Sequence, residues 1–293
     1  MLKSPSFDSR FRSRLGQKPA GQLDGATIII AEQMKEGKSS VSPRGNMSAL
    51  LDQLERGNTC PGVNAEILRY LGRRLDRESK LRFLDVPCGD GLFLQSAARI
   101  FPNSERFGAD LSAAVVPRET VAEFVAIDAA REHLPKTLGK FDVITSISGV
   151  MEFGNALFFL EGLREILTDN GILIVSNDNL LSIRDRLLYA FFGRTSQYKG
   201  FVGDFPTWKP IPLDVLIRTL REAGLAPLDL KFIAPNIREY LWTPIALPIY
   251  GIQRLYDRFS GFDNANNSGL HLRPFNSLIS RHYIIACRKV LAT

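Results

Sequence analysis

The chain has 293 residues, 45% of them apolar, and carries 37 Lys and Arg against 31 Asp and Glu, a formal charge of +6. That composition excludes a collagen-like, disulfide-scaffolded or wholly disordered protein, and the length is ample for a large core. The three cysteines, Cys60, Cys88 and Cys287, are far apart and form no paired motif, which suits a reducing compartment such as the cytoplasm and offers no zinc framework.

Residues 1–45 mix Lys3, Arg10, Arg12, Arg14 and Lys18 with Ser, Gln, Gly and Pro and show no sustained apolar period, so they read as a flexible basic tail. Their one strand candidate is 26–31. Residues 46–293 read as a single folded domain. Amphipathic patterns predict helices over 47–54 and 63–75. Strands follow at 81–86, 106–110, 123–127 and 141–147, interleaved with helices at 92–100 and 158–167. An Asp-Asn-Gly turn at 169–171 leads into a strand at 172–176. A helix over 213–223 closes at Gly224, and strands at 228–234 and 283–288 end the pattern. Short apolar runs alternating with helical patterns predict an α/β fold with a parallel sheet wrapped by helices.

Two stretches interrupt that alternation, 180–212 and 235–278. They hold 77 residues but 14 of the 28 aromatics, including both tryptophans. The longest apolar run, 241–252, contains Pro244 and Pro248 and falls short of the roughly 20 residues that span a bilayer. Apolar and aromatic residues beside Arg184, Arg186, Arg194, Arg254 and Arg258 suit either a lid over an amphipathic acceptor or a peripheral membrane contact.

The strongest chemical signal is Leu84-Asp85-Val86-Pro87-Cys88-Gly89-Asp90-Gly91, which leaves a strand and opens a helix. Glycines there let backbone approach a ligand, and the helix start offers free N–H groups. Asp110 and Asp128 end the next two strands. Three strand-end acids in succession lie on the carboxyl edge of an open sheet, where such folds bind ligands. A nicotinamide-binding loop would need a third glycine where Leu94 stands.

This constellation resembles the class I S-adenosylmethionine-dependent methyltransferases over about residues 69–288. Asp85, Gly89 and Gly91 match that family's first motif, with Pro87 where glycine is usual; 141–144 is similar to its fourth-strand motif. The resemblance implies a Rossmann-like seven-stranded mixed sheet with an antiparallel last strand, and S-adenosylmethionine as cofactor. It implies that Asp85 and the backbone of Pro87, Cys88, Gly89, Asp90 and Gly91 hold the methionine part. Asp110 would take the ribose hydroxyls, and Asp128 with Ala129 would face the adenine.

The family often carries Glu-His after its fourth strand; here Glu152 is followed by Phe153. Glu152 is therefore a candidate base or orienting carboxylate, and no metal is assigned. Of three histidines, His271 lies in an Asn/Gly-rich stretch that is a candidate to fold over the pocket and act in catalysis. His133 reads as solvated, and His282, opening the last strand, as structural. Asp178 and Asn179 sit at sheet-edge positions that line acceptor pockets. The expected activity is O-methylation of a small-molecule or lipid-linked hydroxyl acceptor (a glycan precursor, lipid or quinone), with glycan precursors ahead of quinones. The alternative is a catalytically inactive scaffold of the same fold.

Charge placement argues against nucleic acid. Residues 1–45 carry +4 and 180–212 carry +3, whereas 46–179, with the cofactor motifs, carry −5. The Asn/Asp-Pro-Pro-aromatic run typical of nucleic-acid amino-methylating enzymes is also missing; Ser146-Ile147-Ser148-Gly149 stands in its place.

Overall fold

The computed structural model describes Leu51 and residues 59–111, 121–196, 209–260 and 270–291. The chain divides between Asn46 and Met47, and every described residue belongs to the second unit. The strand candidate at 26–31 lies outside the described residues, as does the helix expected over 47–54 apart from Leu51.

Seven strands form one sheet: β1 (Arg82–Asp85), β2 (Glu105–Asp110), β3 (Glu123–Ala126), β4 (Phe141–Ile147), β5 (Leu167–Asp178), β6 (Leu225–Phe232) and β7 (His282–Lys289). Their spatial order is β3-β2-β1-β4-β5-β7-β6. The pairs among β1 to β5 are parallel, and β7 runs antiparallel to both β5 and β6. Strand order reverses between β1 and β4, which opens a crevice at their carboxyl ends.

Helices cover both faces. On one face α1 (Val63–Gly72) and α2 (Leu92–Ile100) bury Ile67, Leu68, Leu71, Phe93, Leu94 and Ala97 against Phe83, Val143 and Ile174. On the other, α3 (Ala156–Ile166) seats Phe159, Leu160 and Leu163 beside Leu216 and Leu220 of α5 (Leu213–Glu222), over Leu84, Ile144 and Val175. The central strands are apolar on both sides because both of their faces are covered.

Two strand starts depart from the sequence reading by three residues or more. Residues 169–171 make no turn before β5: the strand starts at Leu167, opposite Phe141, and resumes register at Ile172 opposite Val143. The intervening residues bulge, and Gly171 leaves room for the Leu167 and Thr168 side chains, which a Cβ there would meet at 2.7 and 2.8 Å. Strand β6 begins three residues earlier than expected and contains Pro227, with a register shift before Asp229. It is an edge strand, where a missing N–H leaves no partner unpaired.

The described parts of the inserts contain helices. α4 (Ile183–Phe192) belongs to the first, and α6 (Ile237–Tyr240) and α7 (Thr243–Ser260) to the second; α8 (Asn276–Ile279) precedes β7. They gather around Ile183, Ala246, Leu278 and Ile279, a small cluster of their own. Pro244 falls in the first turn of α7, where its missing N–H costs nothing, while Pro248 is inside the helix. No described helix is long and apolar enough to cross a membrane.

Candidate active site

A cavity of about 280 Å³ opens at the crevice between β1 and β4. Its walls bring together residues far apart in sequence: Asp85 to Asp90, Asp110, Ala129, Ser148 and Glu152, with Thr59 and Asn64 from the start of α1.

The loop after β1 is held by its neighbours. Val86 N–H donates to Thr145 O at 2.9 Å and Cys88 N–H to Ala109 O at 3.0 Å, so both adjacent strands anchor it. The Val86–Pro87 peptide is cis. Pro87 packs on Gly149, where a Cβ would come within 2.1 Å of the Pro87 ring. Gly89 and Gly91 have φ of 52° and 75°, backbone that glycine adopts without penalty. Gly89 faces open space, with nothing within 4 Å of an added Cβ. Gly91 caps α2, which leaves the helix start directed at the cavity.

Asp85 is buried, 1% exposed, and its Oδ1 accepts from Thr145 Oγ1 at 2.6 Å. Burial pushes its carboxyl up to about 8, with Asp110 and Asp90 adding to the effect and the Thr145 hydroxyl opposing it. Asp110, at the tip of β2, accepts from Gly89 N–H at 2.9 Å on one oxygen and from Leu111 N–H at 2.7 Å on the other. Each oxygen keeps a lone pair for a ligand hydroxyl. Asn64 Oδ1, buried in the wall, has no hydrogen-bond partner within the protein.

Cys88 packs against β2, where a Cβ on Gly108 would meet its Sγ at 2.9 Å. Burial pushes the thiol well above its ordinary range, which makes it a small apolar wall residue rather than a nucleophile.

Not every expected residue reaches the cavity. Ala129 lines it beside Ile127, but Asp128 does not; its carboxylate accepts from Ala130 N–H at 3.1 Å and pairs with Arg131 at 3.5 Å. An acid two residues before a free N–H caps its own turn, so position at a strand end does not aim the side chain. Glu152 lines the cavity and is exposed, and Phe153 stacks near Phe159 with centroids 4.2 Å apart. His271 is exposed and is absent from the cavity wall. His133 is exposed, with its ring stacked on Phe158 at 3.9 Å. Among the described residues, none of either insert lines this cavity, so the described inserts do not form its lid.

Ser148 is the residue that sequence reasoning missed. It stands at φ 56°, the only described non-glycine residue with positive φ, a backbone costing a side-chain-bearing residue about 1 kcal/mol. Its N–H donates to Ser176 Oγ at 2.9 Å, and its Oγ lies 3.1 Å from both Thr59 Oγ1 and His282 Nε2. Serine followed by glycine after a strand was the available signal.

A family model described as "Methyltransferase domain" matches residues 84–173. A ubiquinone biosynthesis O-methyltransferase from Cereibacter sphaeroides is 31% identical over 192 residues, covering 62% of this chain and 74% of that protein. A protein of the same description from Ruegeria pomeroyi is 28% identical over 193 residues, covering 60% and 75%. Among solved structures, a cyclopropane synthase from Mycobacterium tuberculosis shares the fold with a TM-score of 0.51 at 15% identity, over 80% of this chain and 88% of that one.

Proposed function

The chain belongs to the class I S-adenosylmethionine-dependent methyltransferases, and from that premise we propose that it methylates a hydroxyl on the ring of a quinone precursor. Among the acceptor classes left open by the sequence, where glycan precursors ranked first, this one is favoured by the relatives' description as O-methyltransferases of ubiquinone biosynthesis. The single structural observation that carries the cofactor half is the pairing of a buried, uncompensated Asp85 with the forked Asp110 across one cavity.

The residues fit the cofactor on their own chemistry. Asn64 Oδ1 is an orphaned acceptor, Gly89 leaves room for a ligand, and Asp85 awaits a cation. Asp85 and the 87–91 backbone would hold the amino acid end, and Asp110 the ribose hydroxyls. Ile127 and Ala129 give the adenine an apolar wall. When bound, S-adenosylmethionine supplies a methyl group on a sulfonium that leaves without acid assistance. The protein then has to align the acceptor oxygen, exclude water and take its proton. Glu152, Ser148 and Thr59, which hydrogen-bonds to Ser148, are polar side chains of the cavity wall.

Quinone precursors with hydrocarbon tails partition into bilayers, and the outer faces of α4 and α7 suit that location. Phe191, Phe192, Ile252, Leu255, Tyr256 and Phe259 are each more than half exposed, flanked by Arg194, Arg254 and Arg258. We assign these faces to peripheral contact with an anionic membrane surface on the cytoplasmic side.

Two measurements test the reading. Calorimetric titration with S-adenosylhomocysteine should give binding to the wild type, and its absence would refute the cofactor site. Transfer of radiolabelled methyl to a catechol bearing a short alkyl chain should exceed transfer to glycan fractions; the reverse order would refute the acceptor class.

A further inference from the structure

His282 opens the last strand and is 3% exposed, yet one edge of its imidazole connects to the cavity. Its Nε2 lies 3.1 Å from Ser148 Oγ, and Ser148 lines the wall. Its Nδ1 lies 2.9 Å from Oδ1 of Asp178, at the end of β5, a close charge contact bent away from the ideal hydrogen-bond line. The antiparallel pairing of β5 with β7 sets this contact, because Asp178 and His282 are register partners.

We propose that Ser148, His282 and Asp178 form a proton relay serving the acceptor hydroxyl, and that it replaces the histidine missing beside Glu152. The directions of the donors agree. A carboxylate only accepts, so the proton of a neutral His282 belongs on Nδ1, which leaves Nε2 as an acceptor. Ser148 O–H then donates to Nε2, and Thr59 O–H, 3.1 Å away, donates to Ser148 Oγ. Ser148 Oγ therefore receives hydroxyl protons from the cavity side. The positive φ of Ser148 and the Ser176 hydroxyl on its N–H hold it in that position.

During transfer the acceptor oxygen gains the methyl carbon and loses its proton. That proton passes to Ser148 Oγ as the serine's own proton moves to His282 Nε2. The resulting imidazolium is stabilised by Asp178, and the proton later returns to solvent by the same path. Asp178 also acts on Cys60, before α1, together with Arg281 and Glu239, which lie 3.5 Å from each other. Ser148 would touch the substrate; His282 and Asp178 act through it as positioning residues.

The inference rests on the proposed O-methylation, so one readout is independent of it. Nitrogen-15 NMR of the free protein, assigned with His282→Gln, should find the proton of neutral His282 on Nδ1. Ser148→Ala should shift the Nε2 resonance. A proton on Nε2 would overturn the relay whatever the acceptor. The second readout is kcat for the alkyl catechol across pH. Ser148→Ala and His282→Gln should lose about 100-fold near pH 7. The loss should shrink to a few-fold above pH 9, where the catechol ionises unaided. Affinity for S-adenosylhomocysteine should stay within twofold of wild type in both. A loss of equal size at every pH marks a structural role and overturns the proposal. So does a wild-type low-pH limb that vanishes in Glu152→Gln instead. No turnover of the catechol by the wild type would refute the quinone reading, with the NMR result still deciding the relay.

Discussion

Replacing Asp85 with asparagine should remove a pH dependence that the wild-type protein shows when it binds S-adenosylhomocysteine. Burial pushes the Asp85 carboxyl up to about 8, so near neutrality it is mostly protonated before the ligand arrives. The ligand's amino group is cationic below about pH 8, and a bound cation beside Asp85 favours its ionised form. Binding therefore releases a proton. With a carboxyl near 8, about one molecule in ten is ionised at pH 7 and one in a hundred at pH 6, so affinity should rise about tenfold per unit between them, or about 1.4 kcal/mol. Calorimetry at pH 7 in buffers of differing ionisation enthalpy should report close to one proton released. In Asp85→Asn the Thr145 hydroxyl can still donate to the amide oxygen that replaces Oδ1, so the fold survives, and both the slope and the released proton should be lost. Wild-type affinity that does not change between pH 6 and 8 would refute the reasoning, as would the same slope in the variant.

The same burial has a consequence for folding stability. Asp85 titrates higher in the folded than in the unfolded chain, so wild-type stability should fall as pH rises from about 4 to about 8 and level off beyond. Thermal melts of the ligand-free protein should find Asp85→Asn gaining on the wild type across that window. Asp110→Ala removes an acceptor for the ribose and should weaken S-adenosylhomocysteine binding by roughly 10- to 100-fold, from the loss of charge-assisted hydrogen bonds; unchanged affinity would reject the ribose assignment. Gly149→Ala places a methyl group 2.1 Å from the Pro87 ring, an overlap expected to cost about 1–3 kcal/mol in melts and to weaken cofactor binding at the same time. Substituting Phe191, Phe192 and Phe259 with serine should abolish co-sedimentation with anionic liposomes while leaving S-adenosylhomocysteine binding intact. Sedimentation of the variant equal to wild type would remove the membrane assignment.

What could be read from sequence was local in the chain. Asp85, Gly89, Gly91 and Asp110 lie within 26 consecutive residues on one strand-loop-helix-strand unit, and each carries a backbone requirement that only certain residue types meet. Asp128 marks the limit of that reasoning: its position at a strand end was correct, but a neighbouring free N–H and Arg131 capture the side chain. Strand β6 starts at Leu225 rather than 228 and runs through Pro227, which a sheet edge tolerates because its missing N–H has no partner to lose. His271 was chosen for its flexible-looking surroundings and His282 set aside for its regular ones. In the structure His271 is exposed and outside the cavity wall, whereas His282 meets Ser148 across 134 positions of sequence. A contact of that range depends on strand order and register, which no window of sequence contains.

The reversal of β7 changes which parts of the chain can furnish the working edge of the sheet. In a wholly parallel sheet that edge receives only residues that leave strands. A reversed strand also delivers one that enters, and here that residue is His282. What enters with it is the end of the second insert, since only Ser280 and Arg281 separate the imidazole from α8, which packs on α7. A helix whose outer face is Ile252, Leu255, Tyr256 and Phe259 is thus two residues and one helix contact removed from His282, which touches the cavity wall at Ser148. The acceptor side of the sheet and the aromatic insert are therefore joined through the entry to β7 as well as through the exits of the parallel strands.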